Sequence, residues 1–260
     1  MTRKSLWSKD QETKAFCVGW WKMSLIANQN SADNLVYTSS KAASSEYSPL
    51  TFPDTAQSAI LSSLAKRSFD IVFSAAILVL LLPVLLLIAL SIKLESRGPV
   101  LFRQTRWGRD QKLIVIYKFR SMRQDLCDHS GVTQTTVEDP RITRVGAFLR
   151  KTSLDELPQF INVLKGDLSV VGPRCHAIGM FAGGQRYEDL VPEYHQRHTV
   201  RPGITGLAQV RGWRGPTTDP VHARARIVSD LYYIKNYSFL LDMKIVIATI
   251  KNEMSGGTGL

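Results

Sequence analysis

The residues in this chain best suited to chemistry are two adjacent carboxylates, Asp155 and Glu156, within RKTSLDELPQFINVLKGD (150–167). Consecutive helical positions point about 100° apart, so the pair offers two separate acids rather than one shared proton. Pro158 has no N–H and fits only the first turn of a helix, which places a helix start near Asp155. The ordinary task of such a pair is structural. Asp155 would cap the helix, Glu156 would complement its positive end, and Ser153 with Glu156 has capping-box spacing. The chemical alternative comes from the neighbours: Arg144, Arg150 and Lys151 precede the pair, and Arg174 follows it. Two acids among several cations suit a magnesium–diphosphate site, where an acid holds metal or attacks phosphorus and the cations neutralise phosphate. Magnesium keeps several waters and takes one or two protein carboxylates, so no longer acidic motif is required.

Other reactive groups form weaker patterns. His195 and His198 are three apart, but no CxxC or HExxH accompanies them, and the reading is a surface pair beside a basic site rather than zinc. Gly203 and Gly206 in RPGITG mark a tight turn or a close backbone approach, without forming a dinucleotide fingerprint or a P-loop. Gln209 and Arg211 follow, where they could read a uridine or a sugar. The three cysteines, Cys17, Cys127 and Cys175, are odd in number and widely spaced. They make no disulfide framework and point to a reducing compartment.

The elements that must position these groups begin with a long apolar run. Ile71 to Ile92 carries no charge over about 22 residues, roughly 33 Å as a helix, against a hydrocarbon core of about 30 Å. Pro83 interrupts it, leaving arms of roughly 18 and 14 Å. A kinked spanning helix and a re-entrant helix–break–helix are both compatible with this. Bases flank both ends: Lys66 and Arg67 before the run, and Lys93, Arg97, Arg103, Arg106 and Arg109 after it. A spanning helix concentrates bases on its cytoplasmic side, whereas two basic ends fit one anionic leaflet, each nearby base adding about 1 kcal/mol. Upstream, residues 1–62 are polar and aperiodic and read as a disordered tail.

Beyond the apolar run, short strands over VLF and KLIVIYKF turn at Trp107-Gly108, and the Arg97–Arg123 stretch is strongly basic. A polar loop follows over 124–140. Apolar residues then recur at helical spacing on either side of the acidic pair, with Gly166 closing the second helix. SDLYYIKNYSFLLDMKIVIATI reads as two amphipathic helices broken near Asn236–Ser238, with Tyr232, Tyr233 and Phe239 suited to headgroup level or to the core. The 33 Lys and Arg against 22 Asp and Glu give +11, which favours polyanionic partners. No aromatic-interleaved basic motif of a nucleic-acid binder is present. A non-enzymatic basic membrane adaptor would use the charge but leave Asp155 and Glu156 without a task.

In order along the chain, KRSFDI before a Pro-interrupted apolar run, YKFRSM, DPRITRVGAFLRKTSLDELPQFINVLKGDLSVVGPR and VRPGITGLAQVRGW resemble the bacterial sugar transferases. More narrowly, they resemble the monotopic polyprenyl-phosphate phosphoglycosyl transferases in their short, catalytic-core form, over roughly residues 64–252. The resemblance implies a re-entrant helix broken at Pro83, and Asp155 and Glu156 as the catalytic, magnesium-holding pair. It implies Asp155 as nucleophile on the sugar-linked phosphorus of a UDP-sugar, releasing UMP through a covalent aspartyl intermediate that polyprenyl phosphate resolves. Lys118, Arg150, Arg174 and Arg201 match basic positions around that site, and Asp230 matches a polar one. Two positions depart from the pattern: Leu82 stands where many members have Ser, and Cys175 where GPRP is usual. GWRG, with GPRCHA, resembles members associated with glucose transfer, which makes UDP-glucose the expected donor and UDP-galactose the runner-up.

The expected architecture is therefore mainly helical α/β and membrane-associated. A tail over 1–62 leads into a membrane helix over 63–94, re-entrant or single. A cytoplasmic catalytic domain with short strands and interfacial amphipathic helices spans 95–252, and a second tail covers 253–260. The expected setting is the cytoplasmic face of the bacterial inner membrane, with UDP-sugar, polyprenyl phosphate and anionic lipid as partners, no nucleic acid, and homo-oligomerisation left open.

Overall fold

The computed structural model describes residues 64–123, 139–182, 184–215 and 219–255. The tail expected over 1–62, residues 124–138 of the expected loop, Cys17, Cys127 and residues 256–260 lie outside the described residues.

Two apolar helices, α1 (Leu64–Leu80) and α2 (Leu82–Glu95), meet at Leu81 with a 62° bend. The bend lies two residues ahead of Pro83, where the sequence reading put the break. Pro83 has no N–H for the Val79 carbonyl and its ring crowds that carbonyl, so the hydrogen-bond ladder fails upstream. Pro83 itself takes the first turn of α2, where an N–H is not needed. Among the described residues no single helix is long and apolar enough to cross a membrane, and only the bent pair together meets that length and composition. Both arms leave large apolar side chains exposed, among them Val72, Val79, Leu80, Leu86, Leu87 and Leu90.

Both ends of this pair are tied to one globular body. Lys66 donates to Asp242 Oδ2 at 2.6 Å and to the Val171 carbonyl at 3.0 Å. Arg67 donates to the carbonyls of Val163 and Leu164 at 2.7 and 2.9 Å. Asp70 accepts from the Ser169 hydroxyl and the Val170 N–H. Lys66 and Arg67 therefore serve the fold, which corrects the expectation that they face an anionic leaflet. At the far end Arg120, buried, donates to the carbonyls of Ser96 and Arg97 at 2.7 and 2.6 Å.

Strands β1 (Leu101–Trp107) and β2 (Leu113–Phe119) pair antiparallel, Leu101 opposite Phe119. Their turn is longer than expected, running from Gly108 to Lys112 through Asp110 and Gln111 at φ 55°. The free edge of β2 is completed by a side chain. Asn162, fully buried on α4 (Gln159–Lys165), accepts from Tyr117 N–H at 2.9 Å and donates to the Val115 carbonyl at 2.6 Å. Its amide thus substitutes for a neighbouring strand and fixes α4 against β2. Helix α3 (Arg144–Lys151) precedes α4, and α4 ends at Gly166 with φ 89°, the left-handed closure expected there.

Strand β3 (Ser169–Val171) pairs in parallel with β6 (Gly203–Thr205), and a small hairpin, β4 (Phe181–Ala182) with β5 (Gln185–Arg186), lies between them in sequence. Then follow the short α5 (Leu207–Val210), α6 (Pro220–Lys235) and α7 (Phe239–Met254). Ser238 caps α7 through the Leu241 N–H, so the break falls where the sequence placed it. Helix α7 runs to Met254, just into the stretch expected as the C-terminal tail. Tyr233 is core rather than interfacial: it packs with Val163, Leu168, Val171 and Ile245, and its hydroxyl donates to Asp242.

The β3/β6 pairing explains the glycines of RPGITG. A Cβ on Gly203 would lie 2.1 Å from the Gly172 nitrogen, and one on Gly206 would lie 2.3 Å from the Gly172 carbonyl oxygen. Backbone meets backbone here, with no flexible side chain to yield. Gly203→Ala is expected to destabilise the fold by about 3 kcal/mol or more, readable as a lower midpoint in urea at unchanged slope.

Candidate active site

The acidic pair is shaped by two leucines and a proline. After α3 ends, Ser153 adopts φ 55°, and Leu154–Glu156 form a single 3₁₀ turn. Leu154 and Leu157, three apart, pack into a cluster with Ile88, Ile92, Phe119 and Leu149. With the leucines turned inward, Asp155 and Glu156 project the other way. Neither acid caps a helix: α4 has Pro158 at its N-cap with no side-chain cap, and Ser153 makes no capping bond. The structural role expected for the pair is therefore absent.

The two carboxylates have opposite surroundings. Glu156 accepts from Lys118 Nζ at 2.7 Å and from Arg174 Nη1 at 3.0 Å, and Arg174 Nη2 also donates to it. Burial would raise its carboxyl, but Arg174 and Lys118 outweigh that and hold it well below the usual carboxylate range. Glu156 in turn raises Arg174. Asp155 is buried too, yet among the described residues no hydrogen-bond donor reaches its carboxylate. Burial pushes it up to about 6, with Glu156 adding and Lys118, Arg150 and Arg174 opposing. One acid is permanently ionised and engaged, and the other is desolvated with its oxygens free.

Both open on a cavity of about 380 Å³ that Lys118, Arg150, Ser153, Arg174 and Gln209 also line. Of the residues singled out from sequence, the structure thus brings together Asp155, Glu156, Lys118, Arg150, Arg174 and Gln209. Within the basic Arg97–Arg123 stretch, Lys118 is the residue on this cavity wall. Three predicted residues lie elsewhere, among them Arg211, whose guanidinium lies over the Tyr232 ring 5.1 Å from its centroid. Arg201 donates to the Gly166 carbonyl at 2.9 Å, at the closing end of α4, and lines a separate small cavity with Lys66, Asp70 and Arg109. Asp230 is fully buried and pairs with Arg197 at 2.7 Å, while Arg197 also donates to the Arg174 carbonyl at 2.6 Å. Asp230 therefore acts on the cavity through two intermediaries, by fixing the backbone that carries Arg174. His195 is exposed, but His198 is buried and lowered to about 4 by that burial, so the two do not form a surface pair.

Sequence reasoning missed the far wall of the cavity: Trp213, Arg214, Arg226, Thr249 and Glu253. Arg226 on α6 donates to the carbonyls of Trp213 and Gly215, both at 2.9 Å, and Arg214 pairs with Glu253 on α7 at 2.5 Å. These contacts join segments about 10 to 40 residues apart, and no local spacing announces them.

A cation at this site would take Asp155 and Glu156 as protein ligands. Among the described residues no group of three or more His, Cys, Asp or Glu is placed to hold a metal ion together. Asp155 offers hard oxygens with no competing donor, whereas both Glu156 oxygens already accept from Lys118 and Arg174. The chemistry of the donor set therefore fits magnesium through Asp155 first, and one or two carboxylates suffice for that ion. If Asp155 acts as a carboxylate, log kcat/KM should climb with unit slope up to about pH 6 and then level, because protonation below that value removes the reactive form.

The sequence resemblance implies Asp155 as nucleophile and Glu156 as a metal-holding acid, and comparison with known proteins decides the family. The bacterial sugar transferase profile matches residues 61–256. The chain belongs to the bacterial sugar transferase family. It is 64% identical over 194 residues to the exopolysaccharide production protein PSS of Rhizobium leguminosarum bv. phaseoli, covering 75% of this chain and 97% of that protein. It is 52% identical over 190 residues to the UDP-glucose:undecaprenyl-phosphate glucose-1-phosphate transferase of Escherichia coli K12, covering 73% of this chain and 40% of that protein. The protein of the same name from Caulobacter vibrioides is 49% identical over 194 residues, covering 74% of this chain and 70% of that protein. In this bacterial sugar transferase, the matched region contains every described element of the cavity wall.

Proposed function

We propose that this sugar transferase moves glucose 1-phosphate from UDP-glucose to polyprenyl phosphate, releasing UMP, as a priming step of exopolysaccharide synthesis. The observation that carries the chemistry is the contrast at residues 155 and 156. An Asp155 oxygen attacks the phosphorus bonded to the sugar; the new O–P bond forms as the bond to the UMP oxygen breaks, and that oxygen keeps the electron pair. A polyprenyl-phosphate oxygen then attacks the same phosphorus, breaking the aspartyl bond and restoring the carboxylate. Glu156 holds Lys118 and Arg174 in place, and with Arg150 these cations face the phosphate charge. Bound at Asp155 and Glu156, magnesium would supply further neutralisation of the diphosphate. The basic-adaptor reading gives no account of a desolvated acid left without a hydrogen bond.

Glucose is the sugar for which relatives 46–52% identical are named, whereas a galactosyl transferase of Streptococcus agalactiae is 39% identical. The membrane reading rests on α1 and α2. Their outer faces are apolar and exposed, the bend is 62°, and both ends are anchored on the same body through Lys66 and Arg120. An apolar pair that leaves and rejoins one body fits entry and exit through one leaflet, the cytoplasmic leaflet of the inner membrane, where anionic lipid and polyprenyl phosphate are at hand.

The test is UMP release from a panel of UDP-sugars with and without undecaprenyl phosphate. Turnover of UDP-glucose at least tenfold above UDP-galactose, yielding a lipid diphosphate sugar, is the expected result. A preference for UDP-galactose would overturn the sugar, and free glucose 1-phosphate as the product would overturn the transfer.

A further inference from the structure

One stretch of the cavity wall carries an unpaired buried acceptor. Gln209 lines the cavity and is more than nine-tenths buried, and its Nε2 donates to the Ile204 carbonyl at 3.1 Å. A carbonyl only accepts, so this bond fixes which end of the amide is oxygen. That oxygen, Oε1, is buried without any hydrogen-bond partner. Thr205, also on the wall, sits 2.7 Å from the Thr249 hydroxyl, and Thr249 Oγ1 donates to the Ile245 carbonyl at 2.8 Å. With the Thr249 proton committed, Thr205 must donate to Thr249, and it keeps only acceptor capacity. The Gln209 oxygen and the Thr205 hydroxyl oxygen therefore present acceptors, while the Gln209 amide keeps one further N–H besides the one given to Ile204.

This wall adjoins the phosphate-facing cations. The Ile204 carbonyl that receives Gln209 also receives Arg174 Nη1 at 3.3 Å, so the orphaned acceptor stands one carbonyl away from the guanidinium. An unpaired buried acceptor calls for a donor. We infer that Gln209, with Thr205 beside it, reads hydroxyl groups of the transferred sugar and so sets sugar specificity. This rests on the transferase reading above. A sugar joined directly to the phosphorus brings several O–H donors close to Arg174. Uracil carries one N–H flanked by two carbonyl oxygens, and those carbonyls give the unpaired Gln209 oxygen nothing to accept from. Among the described residues a second buried unpartnered atom on the cavity wall, Arg214 Nε, is a donor and suits such carbonyls.

The experiment uses the full chain with UDP-glucose and a set of UDP-deoxyglucoses, each lacking one sugar hydroxyl, and follows UMP release. In the wild type, removing the hydroxyl read by Gln209 is expected to lower kcat/KM by about tenfold or more. In Gln209→Leu that penalty should vanish, the variant treating UDP-glucose and that analogue alike, while inhibition by UMP stays within about twofold. Gln209→Met, similar in length and unbranched, repeats the comparison if the leucine variant does not fold. Two results would overturn the inference: UMP inhibition weakening with the variant, which assigns the oxygen to uracil, or an undiminished penalty for every analogue. Wild-type turnover in the same assay separates this from the parent reading, because absence of UMP release from UDP-glucose would overturn both.

Discussion

Asp155→Asn is expected to abolish turnover and at the same time to make the protein more stable. The carboxyl is raised from 3.8 to about 6, chiefly by burial. A folded state that binds the proton more tightly than the unfolded chain loses stability as pH rises between those two values. At about 1.4 kcal/mol per pH unit, the ionised side chain then costs the fold about 3 kcal/mol at neutral pH. Asn has nearly the same shape and no charge to desolvate. At pH 7 the variant should therefore show a higher urea midpoint than the wild type. The gain should shrink as pH falls from 6 to 4, where the wild-type carboxyl becomes neutral. A variant that loses activity and also stability would mean that Asp155 holds the structure together, and the reading of a strained nucleophile would fail. Stability lost to a reactive group in this way is common at catalytic sites.

Arg174→Ala should have the second largest effect. Arg174 makes a two-pronged contact with Glu156, and its removal leaves a buried carboxylate with Lys118 alone. A fall in kcat of about 10²–10³-fold is expected, the size seen when one preorganised charge stabiliser is lost. Arg174→Lys restores the charge but not the two-pronged geometry, so it should recover only part of that loss. The same substitutions predict a difference in acid response. Without Arg174, one of the cations opposing the rise of Asp155 is gone, so the acid limb near pH 6 should move to higher pH than in the wild type. An Arg174→Ala enzyme with normal kcat would remove the cationic wall from the account.

Much of this site could be read from the chain because its pieces are local. The acidic pair, the breaking prolines and the closing Gly166 each act within a few residues, where steric rules are strict. The hairpin and the break before Ser238 were legible for the same reason. The capping role assigned to Asp155 was not fulfilled, because Leu154 and Leu157 turn the 3₁₀ segment toward the core, and that core includes Ile88 and Ile92 from α2. Lys66 and Arg67 look from sequence like membrane-flanking bases. They serve instead as anchors because their acceptors, Asp242 and the α4 carbonyls, lie about a hundred or more residues away. Asn162 gave no signal at all: an amide that completes a strand edge is indistinguishable in sequence from a polar residue on a helix. Asp230 and Arg201 were placed at the site by resemblance; the fold gives Asp230 a supporting position behind Arg174 and puts Arg201 on a separate cavity.

The most direct measurement is a peptide map of the intact chain after incubation with magnesium and UDP-glucose in the absence of polyprenyl phosphate. The account predicts glucose 1-phosphate attached at Asp155, formed together with UMP and discharged when polyprenyl phosphate is added. Attachment at any other residue, or UMP released with no protein-bound sugar phosphate at any time, would contradict it.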